Sequence, residues 1–285
     1  PRLQGLGTTI FAEMSALALT TGSVNLGQGF PDVDGPDEIK QRVVDAIWAG
    51  RNQYPPGPGA PELRAAIAEH QQRFYSLQLD PGTQVLVTAG ATEAVAAAML
   101  ALVDTGDEVI ALEPYYDSYA ASIAMAGGVR VPVTLRAPEF RLDAERLRAA
   151  VTNRTKLILL NTPHNPTGTV LTREELQAIA DVAIEHDLIV VTDEVYEHLV
   201  YDGRHVPIAT LPGMFERTLT ISSAGKTFAF TGWKIGWATG PAELVTAART
   251  TKQFLTFVNG APMQPGIAHG LSMADGYYQT LTSDM

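Results

Sequence analysis

The chain has 285 residues and a formal net charge of −11. With no basic run or basic helix, it offers little to a nucleic-acid backbone. Hydrophobic residues make up 46% and charged residues 18%, the balance of a globular protein with a large core, in one large domain or two small ones. Zero cysteines excludes disulfides, thiolate metal sites and a cysteine nucleophile, and no apolar run reaches 18 residues, so no membrane span is expected.

In chain order, the first forty residues read as an arm. Apolar residues Ile10, Met14 and Leu17 recur at helical spacing within Thr9–Leu19. The start lacks the basic head, apolar centre and cleavage site of a signal peptide, so the expected compartment is the cytoplasm. Val24–Asp32 follows, with Gly27 and Gly29 flanking Gln28 and Pro31 close behind; such a tight loop lets a ligand approach main-chain atoms, or merely connects. Pro36–Ala49 predicts a helix with Ile39, Val43, Ala46 and Ile47 on one face. The stiff Pro/Gly loop Asn52–Gly59 displays Tyr54, and Pro61–Tyr75 predicts the next helix.

From Gln84 onward strands and helices alternate. Predicted strands are Gln84–Thr88, Glu108–Leu112, Val129–Thr134, Lys156–Leu160, Leu188–Thr192, Thr218–Ser222 and Ile235–Thr239. Helical stretches between them are Thr92–Val103, Tyr116–Ala126, Asp143–Ala150 and Arg173–His186. Short apolar strands joined by crossovers predict an α/β fold: three α/β/α layers around a mostly parallel seven-stranded sheet. The connection from Ser222 to Ile235 is near the lower limit for a parallel crossover, so the last strand is expected to run antiparallel. Ala268–Met285 has helical, polar character without a closing element.

Open α/β sheets keep their chemistry beyond the strand tips. After the first strand, Ala89-Gly90-Ala91-Thr92 opens an Ala-rich helix; Thr92 suits an N-cap, and the free N–H groups offer a seat for an anion. The second strand leads to Tyr115, Tyr116 and Tyr119, where an aromatic ring covers a planar ligand or packs the core. The fourth ends in Asn161-Thr162-Pro163-His164-Asn165-Pro166-Thr167-Gly168, rigid and aiming two asparagines. The fifth ends in Asp193, a carboxylate expected to be part buried and in need of a cationic partner, with Tyr196 three residues on. After the sixth stand Ser222, Ser223 and Lys226, followed by Lys234; the chain has only five lysines. A lysine among apolar neighbours loses its proton near neutral pH and attacks carbonyls, although an ordinary solvated lysine is the plainer reading of either one.

A phosphate seat, a stacking aromatic, a rigid asparagine, a buried carboxylate, a tyrosine and an amine together match the needs of pyridoxal 5′-phosphate: phosphate, ring face, phenolic oxygen, ring nitrogen and aldehyde. A nicotinamide cofactor would want a glycine fingerprint, which is missing. Asn161–Gly168, Thr192–Tyr196 and Ser222–Trp237 resemble the class I/II aminotransferases of fold type I, and Asn25–Asp32 and Asn52–Arg64 match the subgroup of kynurenine/glutamine and N-succinyldiaminopimelate aminotransferases.

That resemblance implies an aspartate-aminotransferase-like large domain over residues 41–285, with residues 1–40 an arm and part of the small domain. It implies that Lys226 forms the Schiff base and shuttles a proton, that Asp193 holds the ring nitrogen, and that Asn165 and Tyr196 bond the phenolic oxygen. Tyr116 would stack on the ring. Gly90, Ala91, Thr92, Ser223 and Lys234 would surround the phosphate, with Ser222 a spectator. Gly29, with Asn165, would line the substrate pocket. Tyr54 would reach the site of a neighbouring subunit in a homodimer. The substrates implied are an amino acid and a 2-oxo acid, with no nucleic acid, membrane or metal partner. The family also continues for about a hundred residues more, of the order of one small domain, with an arginine that clamps the substrate carboxylate; no arginine here sits in that context, so a truncated chain is expected. Two alternatives share the resemblance: a pyridoxal-dependent cysteine-S-conjugate β-lyase and a non-catalytic cofactor-binding effector domain.

Overall fold

The computed structural model describes residues 2–4, 7–27, 29 and 33–284. In chain order the elements are α1 (Ile10–Thr21), α2 (Asp37–Trp48), α3 (Pro61–Tyr75), β1 (Val85–Thr88), α4 (Gly90–Leu102), β2 (Glu108–Glu113), α5 (Ser118–Ala126) and β3 (Val129–Thr134). There follow α6 (Ala144–Ala150), β4 (Thr155–Asn161), α7 (Arg173–Glu185), β5 (Ile189–Asp193), β6 (Thr218–Ser223), α8 (Ala224–Thr227), β7 (Gly236–Thr239), α9 (Ala242–Lys252), α10 (Met263–Leu271) and α11 (Asp275–Asp284). All seven predicted strands form. Among the described residues no helix is long and apolar enough to cross a membrane.

One sheet holds every strand, in the order β1-β7-β6-β5-β4-β2-β3. The β2–β3, β2–β4, β4–β5 and β5–β6 pairs are parallel, whereas β7 runs antiparallel to both β6 and β1, as the short connection before it requires. Alternation sends successive side chains to opposite faces. Leu157, Leu159, Val191 and Leu219 face one core with residues of α4, α5 and α9; Ile158, Leu160 and Val190 face another with α6 and α7. A third cluster packs α2, α3, α10 and α11 beneath β1 and β7. Layers on both faces bury β1 and β4–β7 almost completely, which is why their sequences are near-continuous apolar runs.

Helix ends are set by local chemistry. In α7, Thr172 accepts from Glu175 N–H while Glu175 accepts from Thr172 N–H, a reciprocal cap that fixes the start at Arg173. Helix α4 begins two residues before the predicted Thr92. Its N-cap is Ala89, whose N–H donates to Glu93 Oε2 at 2.6 Å, so Thr92 lies in the first turn and does not cap.

Candidate active site

Because β1 and β4–β6 share one direction, the segments that follow them, and the one after β2, converge on one edge of the sheet. They surround a cavity of about 560 Å³. Its walls include Gly90, Ala91 and Thr92 after β1, Tyr116 after β2, Asn165 after β4, Asp193 and Tyr196 after β5, and Ser223, Lys226 and Lys234 after β6. Gly29 of the arm also borders it. Gln28, Phe30, Pro31 and Asp32 of the same loop lie outside the described residues. Tyr54 stands off the cavity, 80% exposed, its ring edge-on to Phe257 with centroids 5.5 Å apart.

Asp193 sits at the floor, 5% exposed. The expected cationic partner is not an arginine: among the described residues Asp193 makes no ion pair, and instead accepts from Tyr119 Oη at 2.7 Å and from Val195 N–H at 3.3 Å. Burial pushes its carboxyl up to about 6 against those hydrogen bonds. The sequence signal for Tyr119 is only that of a third tyrosine about one helical turn past Tyr115 and Tyr116. Its ring stands at 88° to that of Tyr116, which orients the latter along the wall.

Lys226, in the short helix α8, donates from Nζ to the Gly29 carbonyl at 2.9 Å, and Nζ lies 5.4 Å from the centre of the Tyr196 ring. Burial pulls its amine below the ordinary lysine range; Asp193 pulls the other way, and Lys234 adds to the lowering. Burial likewise pushes the Tyr196 phenol up to about 12. Asn161, the other asparagine of its segment, is a positioning residue: Oδ1 accepts from Asn165 N–H at 2.7 Å, and Nδ2 donates to the Asp193 carbonyl at 2.8 Å. The Asn165–Pro166 bond is cis. Ser222 is no neighbour of the cavity: its hydroxyl donates to Glu197 at 2.5 Å on the opposite side of β6.

The anion seat is more than a helix end. Gly90 has φ +77°, and a Cβ there would lie 3.0 Å from Lys234 Nζ, so the ammonium rests against the helix start. A Cβ at Gly236 would come within 2.7 Å of Ala91 N, so only glycine lets β7 pass that close. Lys234 itself adopts a left-handed φ of 54°, and its carbonyl accepts from Asn259 Nδ2 at 3.4 Å.

A profile described as aminotransferase class I and II matches residues 21–283. The chain belongs to this family. It is 56% identical to a probable N-succinyldiaminopimelate aminotransferase of Mycobacterium tuberculosis, over all of this chain and 72% of that protein. The solved structure of the mycobacterial N-succinyldiaminopimelate aminotransferase superposes with a TM-score of 0.98, covering 100% of this chain and 75% of that one. Methionine aminotransferase of Escherichia coli is 43% identical over 98% of this chain and 73% of its own length. Aspartate aminotransferase of Thermus thermophilus with maleate is 36% identical, with a TM-score of 0.92 over 99% of this chain and 75% of that one. The fold is therefore aspartate-aminotransferase-like and the chain is an aminotransferase, of a family whose cofactor is pyridoxal phosphate. The residues present fit that cofactor: a buried carboxylate that makes no ion pair among the described residues faces the same cavity as a lysine, and a helix start with an adjoining ammonium supplies a place for phosphate.

Proposed function

We propose that Lys226 is the amine to which the cofactor aldehyde attaches, with Asp193 holding the ring nitrogen. The observation that carries this reading is the pairing of a buried carboxylate, without an ion pair among the described residues, with a desolvated lysine in one cavity. When bound, the cofactor supplies an electron sink, which lets an amino group leave an amino acid and pass to a 2-oxo acid. Lys226 Nζ takes the proton from the amino acid α-carbon and returns it, a task helped by burial that favours its neutral form. Tyr196 and Asn165 hydrogen-bond the phenolic oxygen, and Tyr116 covers one ring face. The phosphate rests on the N–H groups of Gly90, Ala91 and Thr92 with Ser223 and Lys234. Gly29 borders the substrate carboxylate. Borohydride reduction of the holoenzyme, digestion and peptide mass mapping test the assignment: the cofactor mass is expected on the peptide holding Lys226. Finding it on Lys234, or on no lysine, overturns the reading.

Identity to the mycobacterial protein supports N-succinyldiaminopimelate as the first amino donor to try, with methionine and kynurenine as competitors. A donor panel against a 2-oxo acid should give the succinylated diamino acid the highest kcat/KM; a higher value for methionine would reassign the substrate. We also assign residues 41–285 to a large cofactor-binding domain, residues 1–40 to an arm and part of a small domain, and the chain to a cytoplasmic homodimer. The exposure of Tyr54 supports its role in a neighbouring site. Mixing Lys226→Ala chains with Tyr54→Phe chains tests this: activity above that of either alone is expected, and a purely monomeric sedimentation profile would defeat it.

A further inference from the structure

On the far side of the segment after β5 lies a second hollow, of about 520 Å³, bordered by Glu197, His198 and His205. At its edge His70 of α3 meets His198. Their Nε2 atoms are 2.7 Å apart with the rings nearly perpendicular, and the ligand atoms of His70, His198 and Glu197 all lie within 4.8 Å of one another. His70 and Glu197 are buried and His198 is partly so.

Two imidazole nitrogens this close either share one proton in an N–H···N hydrogen bond or stand ready to flank a metal ion. Gln71 Nε2 stands 3.4 Å from His70 Nδ1, a long contact, while Gln71 Oε1 is buried with no partner among the described residues. Turning that amide over sets Oε1 against an Nδ1–H. The His70 tautomer is then fixed with its Nε2 lone pair aimed at His198, the arrangement of a metal-ligating histidine and its outer partner. Glu197 already has such partners in the Ser222 hydroxyl at 2.5 Å and in Tyr75. The nearby Arg73 guanidinium is engaged by Asp275 and does not occupy the carboxylate.

We propose that His70, His198 and Glu197 bind one divalent transition-metal ion, zinc by the character of the donors, with a water from the hollow as fourth ligand. Neighbouring ligands of a tetrahedral zinc stand about 3.3 Å apart for bonds near 2.0 Å, so the imidazoles need part by only roughly 0.6 Å. The ion would tie α3 to the segment that carries Asp193 and Tyr196, a structural clamp beside the active site and not a member of it.

The test uses holoenzyme stripped with a chelator, then titrated with zinc chloride by calorimetry and with cobalt(II) by visible absorbance. The site predicts one equivalent of zinc per chain with Kd of about 1 µM or tighter. It also predicts the intense bands of four-coordinate cobalt with nitrogen and oxygen ligands. His70→Ala and His198→Ala are expected to weaken zinc at least about tenfold, whereas His269→Ala, which removes a part-exposed histidine paired with Glu38, leaves it unchanged. Zinc retained in both variants would place the ion elsewhere, on the cofactor for instance, and overturn the proposal. So would the absence of saturation by about 1 mM or a pale octahedral cobalt spectrum. The cobalt spectrum is read on unaltered protein, so it decides the matter even where a variant fails to fold.

Discussion

Residues 193–198 divide two polar regions whose burial is alike and whose completion is not. Asp193 and Tyr196 face the cofactor cavity; Glu194, Glu197 and His198 turn behind it. Burial pushes both Asp193 and Glu197 up to about 6. Behind the segment, Glu194 accepts from His205 Nε2 at 2.8 Å and from Thr192 Oγ1 at 3.1 Å, so the chain itself completes it. In front, Asp193 has one hydroxyl and one N–H, and makes no ion pair among the described residues. A buried carboxylate completed by the chain is a stability element, whereas one left for an outside cation is a binding element. Changes in front should therefore cost activity and spare stability, and changes behind should do the reverse.

The largest effect belongs to Lys226→Ala, which should lower turnover by at least about 10³-fold and abolish the absorbance of covalently held cofactor while leaving the melting temperature nearly unchanged. Asp193→Asn should cost about 10²–10³-fold in turnover. It should also stabilise the cofactor-free protein. The folded value near 6 lies above the ordinary 3.8, so the folded chain binds a proton that the unfolded chain releases. The penalty is absent below the lower value and complete above the higher one, on the order of 3 kcal/mol. Thermal melts of the cofactor-free variant should thus exceed wild type at pH 8, with the gain shrinking toward pH 5. An Asn variant that kept its turnover and gained no stability would break the comparison from the front.

Behind, His205→Ala leaves Glu194 buried and unpaired and should cost about 3 kcal/mol of stability, with kcat changed by no more than about threefold. Burial pulls His205 down, but Glu194 outweighs it and raises the imidazole above its ordinary 6.5. The pair therefore contributes fully below pH 6.5 and fades as pH rises through the folded value, so the stability gap between wild type and variant, read in urea melts, should narrow at alkaline pH. A variant as stable as wild type but slow in turnover would break the comparison from behind.

Much of this was legible in the chain, for a physical reason. Strands buried on both faces are short apolar runs ended by small or polar residues, and those endings are where the chemistry gathers; Lys226, Asp193 and Asn165 were found that way. Helices α9 and α10 were less visible. Pro265, Gly266 and Gly270 read as breakers, yet a Cβ at Gly266 would meet Val43 at 2.6 Å and one at Gly270 would meet Ile39 at 2.6 Å, so these glycines serve the close packing of α10 on α2. Long-range partnerships left no local trace. Tyr119 is 74 residues from Asp193 and His70 is 128 from His198, and no spacing rule joins either pair. Nor could spacing show that an arginine would be absent beside Asp193, where a hydroxyl stands.

That hydroxyl offers the finest test of the front region. Tyr119 Oη donates to Asp193 Oδ2 at 2.7 Å and lowers the carboxyl against the pull of burial. Tyr119→Phe deletes only this donor, so Asp193 should titrate above its present value near 6. On the proposed role of Asp193, cofactor affinity requires the ionised carboxylate, and its acid limb should move to higher pH in the variant, with about a tenfold loss near neutrality and less at pH 9, where both proteins are ionised. A merely packing role for Tyr119 predicts an affinity that is unchanged, or altered equally at every pH, because the ring is retained and nothing that titrates has changed. Equilibrium binding of the cofactor followed by absorbance from pH 5 to 9 separates the two: a displaced limb makes the hydroxyl the device that keeps Asp193 charged, and parallel curves make it a spacer.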